Sequence, residues 1–145
     1  MKLDYAYKDL SLLLAQTVST DDSIILSVAF DTRQIFNGEG VLFFALEGIF
    51  RNGHEFISEA YSKGVRHFVV TKEGITSNLS GAHEIVVENS LAALQNLAKY
   101  HRDRFTCPII AITGSNGKTT VKEWLGHILS KKYNVIRSPK SYNIY

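Results

Sequence analysis

Cysteine and proline are scarce in this 145-residue chain, with one cysteine, Cys107, and two prolines. A lone thiol excludes an internal disulfide framework and suits a reducing compartment. Two prolines leave no proline-rich linker, and no repeat or low-complexity segment is visible. Long apolar runs are missing as well. The longest, Val41 to Phe50, is broken by Glu47 and Gly48 and falls far short of the roughly 20 residues of a spanning helix. Asp4, Lys8 and Asp9 charge the N-terminal stretch, and no small-residue cleavage site follows Leu14, which argues against a signal peptide. The simplest expectation is a cytoplasmic protein without a membrane span. The five histidines, His54, His67, His83, His101 and His127, have no metal-ligand spacing.

What is present is the balance of a globular protein, 45% hydrophobic and 21% charged. The net charge of +2 hides an asymmetry: residues 1–98 carry seven basic and twelve acidic side chains, residues 99–145 nine basic and two acidic. Such a basic segment reads either as a polyphosphate or nucleic-acid surface or as part of a larger protein that balances it elsewhere. Nucleic acid is the poorer reading, because Tyr100 to Arg104 lacks the interleaved aromatics of single-strand binders.

Hydrophobic spacing predicts a short helix over 7–16 around Leu10, Leu13 and Leu14. A strand over 23–30 comes next, with Ile24, Leu26, Val28 and Phe30 on one face. Asn37-Gly38-Glu39-Gly40 is a turn, and Val41 to Leu46 a nearly all-apolar strand. Phe56, Ile57, Ala60 and Tyr61 share a helical face that Gly64 is placed to end. Strands over 65–71 and 84–88 come next, then a helix N-capped by Ser90 that turns Leu91, Leu94, Leu97 and Ala98 inward. Beyond Arg104, Pro108 to Thr113 reads as a parallel strand buried on both faces. Cys107 beside it reads as a small core residue. An amphipathic helix then carries Val121, Trp124, Leu125, Ile128 and Leu129, and Tyr133 to Arg137 reads as another strand. The expected fold class is therefore α/β: a small mixed α/β N-terminal domain over 1–88, then over 89–145 a connecting helix and the first strand–loop–helix–strand unit of a parallel-sheet domain.

The chemistry concentrates between that strand and its helix, in Thr113-Gly114-Ser115-Asn116-Gly117-Lys118-Thr119-Thr120. Glycines let backbone N–H groups approach a polyphosphate closely, and the following helix start offers the positive end of its dipole. Lys118 is placed to reach the β- and γ-phosphates of ATP, and the Thr119 hydroxyl to ligate Mg²⁺. Gly114, Ser115, Asn116, Gly117, Lys118, Thr119 and Thr120 are thus the candidate nucleotide site, with Lys118 as the candidate catalytic residue and Thr119 as the candidate metal ligand. Ile112 stands where the full eight-residue pattern has glycine, so the loop is a shortened form.

This loop resembles the ATP loop of the Mur ligases, the amide-forming enzymes of peptidoglycan precursor synthesis; the shortened form is also similar to that of folylpolyglutamate synthetases. Val121-Lys122-Glu123 after it resembles the MurF branch. Asp31-Thr32-Arg33, Gly40 to Gly48, Asn52-Gly53-His54 and the helix ending at Gly64 resemble the uridine-nucleotide-binding domain of MurE and MurF, which folylpolyglutamate synthetases lack. Ser138 to Asn143 looks like the stretch found in MurF ligases fused to an alanine racemase.

The resemblance implies an ATP- and Mg²⁺-dependent ligase joining D-alanyl-D-alanine to UDP-N-acetylmuramoyl-tripeptide through an acyl phosphate, in cell-wall synthesis. It implies Asp31, Thr32, Arg33 and His54 beside the UDP moiety, with Thr32 donating to the nucleotide, Asp31 and Arg33 bracing the turn, and His54 either capping a helix or touching ligand. Asn52 departs from the aspartate usual there. It also implies that the later ligase domains lie outside this chain, which would be inactive alone. A non-catalytic module binding UDP-precursor or nucleotide, and a MurE-like or folylpolyglutamate-synthetase-like ligase, are the alternatives.

Overall fold

A computed structural model describes residues 3–48 and 52–138. The chain divides into two compact units, Met1–Phe105 and Thr106–Tyr145.

In the first unit, β1 (Tyr5–Ala6) leads directly into helix α1 (Tyr7–Ala15) and pairs antiparallel with β2 (Ile24–Ile25). The main sheet is parallel, in the order β3 (Ser27–Ala29), β4 (Val41–Phe44), β5 (His67–Val70), β6 (His83–Val86). Its register sets Val28 against Leu42, Phe43 against Phe68 and Val69 against Ile85. All four residues of β4 and of β5 are buried, as expected for central parallel strands covered on both faces.

Strand alternation sends Leu42, Phe44, Val69 and Ile85 to one side, where they meet Tyr7 and Leu10 of α1 and Ala93 and Leu97 of helix α3 (Ser90–Asp103). Val41, Phe43, Phe68 and Val70 face the other side and pack against Ile57 and Ala60 of helix α2 (Ile57–Ser62). The result is helix, sheet, helix. Because α3 supplies core residues, the first compact unit includes it and runs to Phe105.

The single strand expected over 23–30 is two strands in two sheets. At Leu26 the chain leaves β1 for β4: its carbonyl accepts from Leu3 N–H (3.0 Å), while its own N–H donates to Gly40 O (2.7 Å). This switch reverses the faces, so that Ile25 is buried while Ile24, Leu26 and Phe30 are exposed. In α3 the cap is Asn89, whose side chain accepts from Ala92 N–H, and not Ser90, which is buried. The inward face is accordingly Ser90, Ala93 and Leu97, with Leu91 and Ala98 outside.

The loop before β2 is tied to the sheet by a charged cluster. Asp21 Oδ2 lies 2.9 Å from His67 Nε2 on β5, and Oδ1 accepts from Ser23 N–H at 2.8 Å. Tyr7 packs on the His67 ring at 4.6 Å, and burial, with Asp21 and Glu84 nearby, pushes its hydroxyl pKa well above the ordinary value. Burial pushes the Asp21 carboxyl up, but the hydrogen bonds from Ser23 and His67 outweigh it and hold the pKa at about 2. A pKa depressed on folding contributes stability that is present above the unfolded value and lost as pH falls through the folded one. Asp21→Asn should therefore be less stable than wild type at pH 6, and the gap should close between pH 4 and 2. Melting curves across that range test it; a gap unchanged down to pH 2 would show that Asp21 ionisation stabilises nothing.

The second unit is sparser. Helix α4 (Lys118–Leu129) forms as expected, but Pro108 to Thr113 and Tyr133 to Arg137 form no strand among the described residues. Ile109 and Ile110 are 61% and 60% exposed, and the stripe of α4 is largely open, with Trp124 at 69% and Ile128 at 60%. Cys107 is exposed rather than a core residue. A buried parallel strand needs neighbours on both edges and helices on both faces, and the described residues of this unit supply one helix. Lys122 nonetheless ties α4 to the segment on its C-terminal side, donating to Ser138 O at 2.9 Å, and Glu123 pairs with Arg137. Residues 139–143 of the Ser138-to-Asn143 stretch lie outside the described residues.

Candidate functional site

In the second unit the site is the start of α4. Gly114 (φ +149°) and Gly117 (φ +76°) hold backbone conformations that side chains rarely adopt, and Gly117 is the left-handed residue from which the helix begins. A Cβ at Gly117 would meet nothing within 4 Å, so the loop is open on that side. No side chain caps the helix, whose first-turn N–H groups lie at the positive end of the dipole. Lys118 folds back over the loop, its ammonium donating to Gly114 O and, at 3.5 Å, to Ser115 O. Glycines, a helix start and one cation thus come together at the start of α4. That donor set suits a polyphosphate.

No group of three or more His, Cys, Asp or Glu side chains that could hold a metal occurs among the described residues. A cation here would rest on the Thr119 hydroxyl and on oxygens brought by the phosphates, as Mg²⁺ commonly does.

In the first unit, Asp31, Thr32 and Arg33 form the turn after β3. Asp31 caps a 3-10 turn over Thr32–Gln34, accepting from Arg33 N–H at 3.0 Å, and also receives the Arg33 guanidinium through Nε (2.9 Å) and Nη2 (2.7 Å). Arg33 is nevertheless 75% exposed, a cation held in place at the surface. Thr32 is buried, and its carbonyl accepts from Lys63 Nζ at 2.8 Å. The turn offers Arg33 and backbone outward, not the Thr32 hydroxyl.

His54 lies in the 3-10 turn Gly53–Phe56 after β4. Its Nε2 accepts from Thr71 N–H at 3.1 Å, which places the proton on Nδ1, 2.7 Å from Asn52 Oδ1. Burial lowers its pKa, Glu47 opposing and Lys72 assisting. Asn52 Oδ1 also accepts from His54 N–H at 3.0 Å and does the capping that an aspartate would do. His54 therefore pins the turn to the end of β5. Both turns sit at carboxyl ends of parallel strands, the usual ligand side of such sheets.

The residues that the sequence did not single out are Glu59, Lys63 and Thr71. Glu59 and Lys63 pair at i,i+4 on the helix; the contact of Lys63 with Thr32 spans about thirty residues and leaves no local signal.

Comparison with known proteins agrees with this geometry. Residues 112–144 match the Mur ligase middle domain, a span that opens just before the glycine loop. The UDP-N-acetylmuramoyl-tripeptide–D-alanyl-D-alanine ligase of Synechocystis is 38% identical over 135 residues, 92% of this chain and 29% of that protein. The Bacillus subtilis enzyme of the same name is 32% identical over 85% of this chain and 26% of its own length. Among solved structures, MurF from Acinetobacter baumannii superposes with a TM-score of 0.73 at 26% identity, covering 90% of this chain and 29% of that one. MurF from Thermotoga maritima in complex with ADP gives 0.66 at 28% identity, covering 81% and 26%. This chain thus spans less than a third of the length of these relatives, and within that span both the glycine loop and the parallel sheet are shared. Over that span the chain is similar to the Mur ligases, and residues 112–144 match their middle domain.

Proposed function

We propose that this chain is the nucleotide-handling N-terminal part of an ATP-dependent ligase that adds D-alanyl-D-alanine to UDP-N-acetylmuramoyl-tripeptide in the cytoplasm. The observation that carries the reading is the glycine-hinged, uncapped start of α4 with Lys118 over it, in a chain 38% identical to a ligase of that name. The backbone of Gly114 to Gly117 would cradle the ATP phosphates, with Ser115, Asn116 and Thr120 completing the loop, and Lys118 would offset charge on the β,γ-phosphates as the γ-phosphoryl group moves to a substrate carboxylate. Thr119 would hold Mg²⁺, which when bound supplies charge neutralisation on the phosphates. Positioning and charge account for most of phosphoryl transfer, so these groups are suitable equipment for the ATP half of the reaction.

The first unit would hold the UDP end of the precursor at the carboxyl ends of β3 and β4. Arg33, exposed and fixed by Asp31, would meet the diphosphate, while Thr32 and His54 keep the two turns in shape. Because that unit has a core of its own, the chain should bind the precursor without turning it over. Isothermal titration with UDP-N-acetylmuramoyl-tripeptide should give saturable heat, with affinity about tenfold lower in Arg33→Ala, the scale of one charged hydrogen bond. No ADP should appear when ATP and D-alanyl-D-alanine are added. Absence of heat with the wild-type chain removes the UDP-site assignment.

A further inference from the structure

Helix α2 has six residues, yet its last turn controls much of the segment between β3 and β4. Parallel strands are usually joined by a crossover that carries a helix, whose packing sets the path of the chain. Residues 30–40 make this crossover with only the three-residue 3-10 turn at Thr32–Gln34. Side chains of the α2 region hold the segment instead. Lys63 Nζ lies 2.8 Å from Thr32 O and 3.0 Å from Glu59 Oε1, so one ammonium joins the turn to its own helix. Lys63 first, and then Thr32, hold the Glu59 carboxyl pKa below its ordinary value. Thr32 is thereby held through its carbonyl by a side chain of the next helix. Farther along, Lys63 O accepts from Gly38 N–H at 2.9 Å. Between these two grips the segment forms one wall of an open cleft of about 300 Å³, lined by Val28, Gln34, Ile35 and Phe36 among others.

We propose that Lys63, with Glu59, is a positioning residue for precursor binding: it fixes the backbone of Thr32, and through it the direction in which Asp31 and Arg33 present the cation to the ligand. The inference rests on the UDP-site reading above. Lys63 touches no ligand. It acts by giving a nearly buried carbonyl a charged donor that solvent would supply only at random orientation.

The test compares wild type, Lys63→Met, Lys63→Arg and Glu59→Gln. Methionine keeps the aliphatic stem and loses the donor; arginine keeps a donor and the pairing with Glu59. Titration with UDP-N-acetylmuramoyl-tripeptide should show about a tenfold rise in Kd for Lys63→Met and recovery to within about threefold in Lys63→Arg, as the loss and restoration of one charged hydrogen bond require. Amide exchange supplies the readout that general destabilisation would not move. Ile35 N–H, which donates to Thr32 O at 3.0 Å, should exchange faster in Lys63→Met and in Glu59→Gln while the β5 amides keep their protection.

Wild-type affinity retained by Lys63→Met overturns the positioning role and leaves the UDP site standing. So does equal weakening in Lys63→Met and Lys63→Arg. No binding by the wild-type chain overturns the site and this role together. Should Lys63→Met fail to fold, Glu59→Gln decides by the same two measurements.

Discussion

Gly38→Ala should lower the melting temperature of the chain by more than about 10 °C or prevent folding outright. A Cβ at this position would stand 2.1 Å from Val65 N, 2.4 Å from Gly64 C and 2.7 Å from Lys63 O. All three are backbone atoms, so no rotamer change relieves the overlap, and the 37–40 turn must move away from the end of α2. That movement breaks the Gly38 N–H bond to Lys63 O and displaces Gly38 O, which accepts from Val41 N–H at 3.2 Å at the start of β4. Since β4 lies between β3 and β5 and is buried along its whole length, the displacement is passed into both faces of the core. Overpacking that forces backbone shifts costs about 3 kcal/mol at the upper end of the usual range, and a domain of this size loses roughly 4–8 °C per kcal/mol. Gly64→Ala is the control. Gly64 has φ +94° but nothing nearer than 3.6 Å to its Cβ position, so it should cost only the roughly 1–2 kcal/mol of a left-handed backbone. Calorimetry on the two variants separates collision from conformation; a Gly38→Ala melting point at or above that of Gly64→Ala would refute the clash argument.

The contrast between the two glycines also shows how much is legible in the sequence. Asn37-Gly38-Glu39-Gly40 reads as a turn from composition alone, and the apolar run of β4 reads as a buried strand. That Gly38 is needed for space rather than for its dihedral angle depends on Gly64, far along the chain, and no local pattern carries it. The same limit explains Thr32. Its place in an Asp-Thr-Arg turn is readable, but its burial and the Lys63 ammonium on its carbonyl are not. The misplaced faces of residues 24–30 have another cause: alternation is real, but a change of sheet at Leu26 shifts its phase, and periodicity has no term for a partner switch. In the second unit the reading of 108–113 as a buried strand presupposes neighbours that the described residues do not provide, so apolar Ile109 and Ile110 stand exposed. The glycine loop is legible because its chemistry is local: Gly114, Gly117 and Lys118 are close in sequence and need only the helix after them.

That locality makes Lys118 the position where one side chain should matter most to chemistry. In a full-length ligase carrying this segment, Lys118→Ala should reduce ligation by about two to three orders of magnitude, the scale of removing one group that offsets developing charge in a water-excluded site. Fold is not the explanation to expect, since alanine is the best helix former and Lys118 opens α4 at an exposed position. The side chain's bonds to Gly114 O and Ser115 O hold the ammonium over the loop in advance, so little ordering remains to be done when phosphate oxygens replace those carbonyls. Lys118→Arg should recover little, because a planar fork cannot occupy the place of a compact ammonium between two carbonyls of the same tight loop. Far-UV circular dichroism should match wild type in both variants while ADP formation, driven by UDP-N-acetylmuramoyl-tripeptide and D-alanyl-D-alanine, falls. Turnover by Lys118→Ala within about threefold of wild type would remove Lys118 from the phosphate site, and with it the main reason for reading this loop as the ATP end of the ligase.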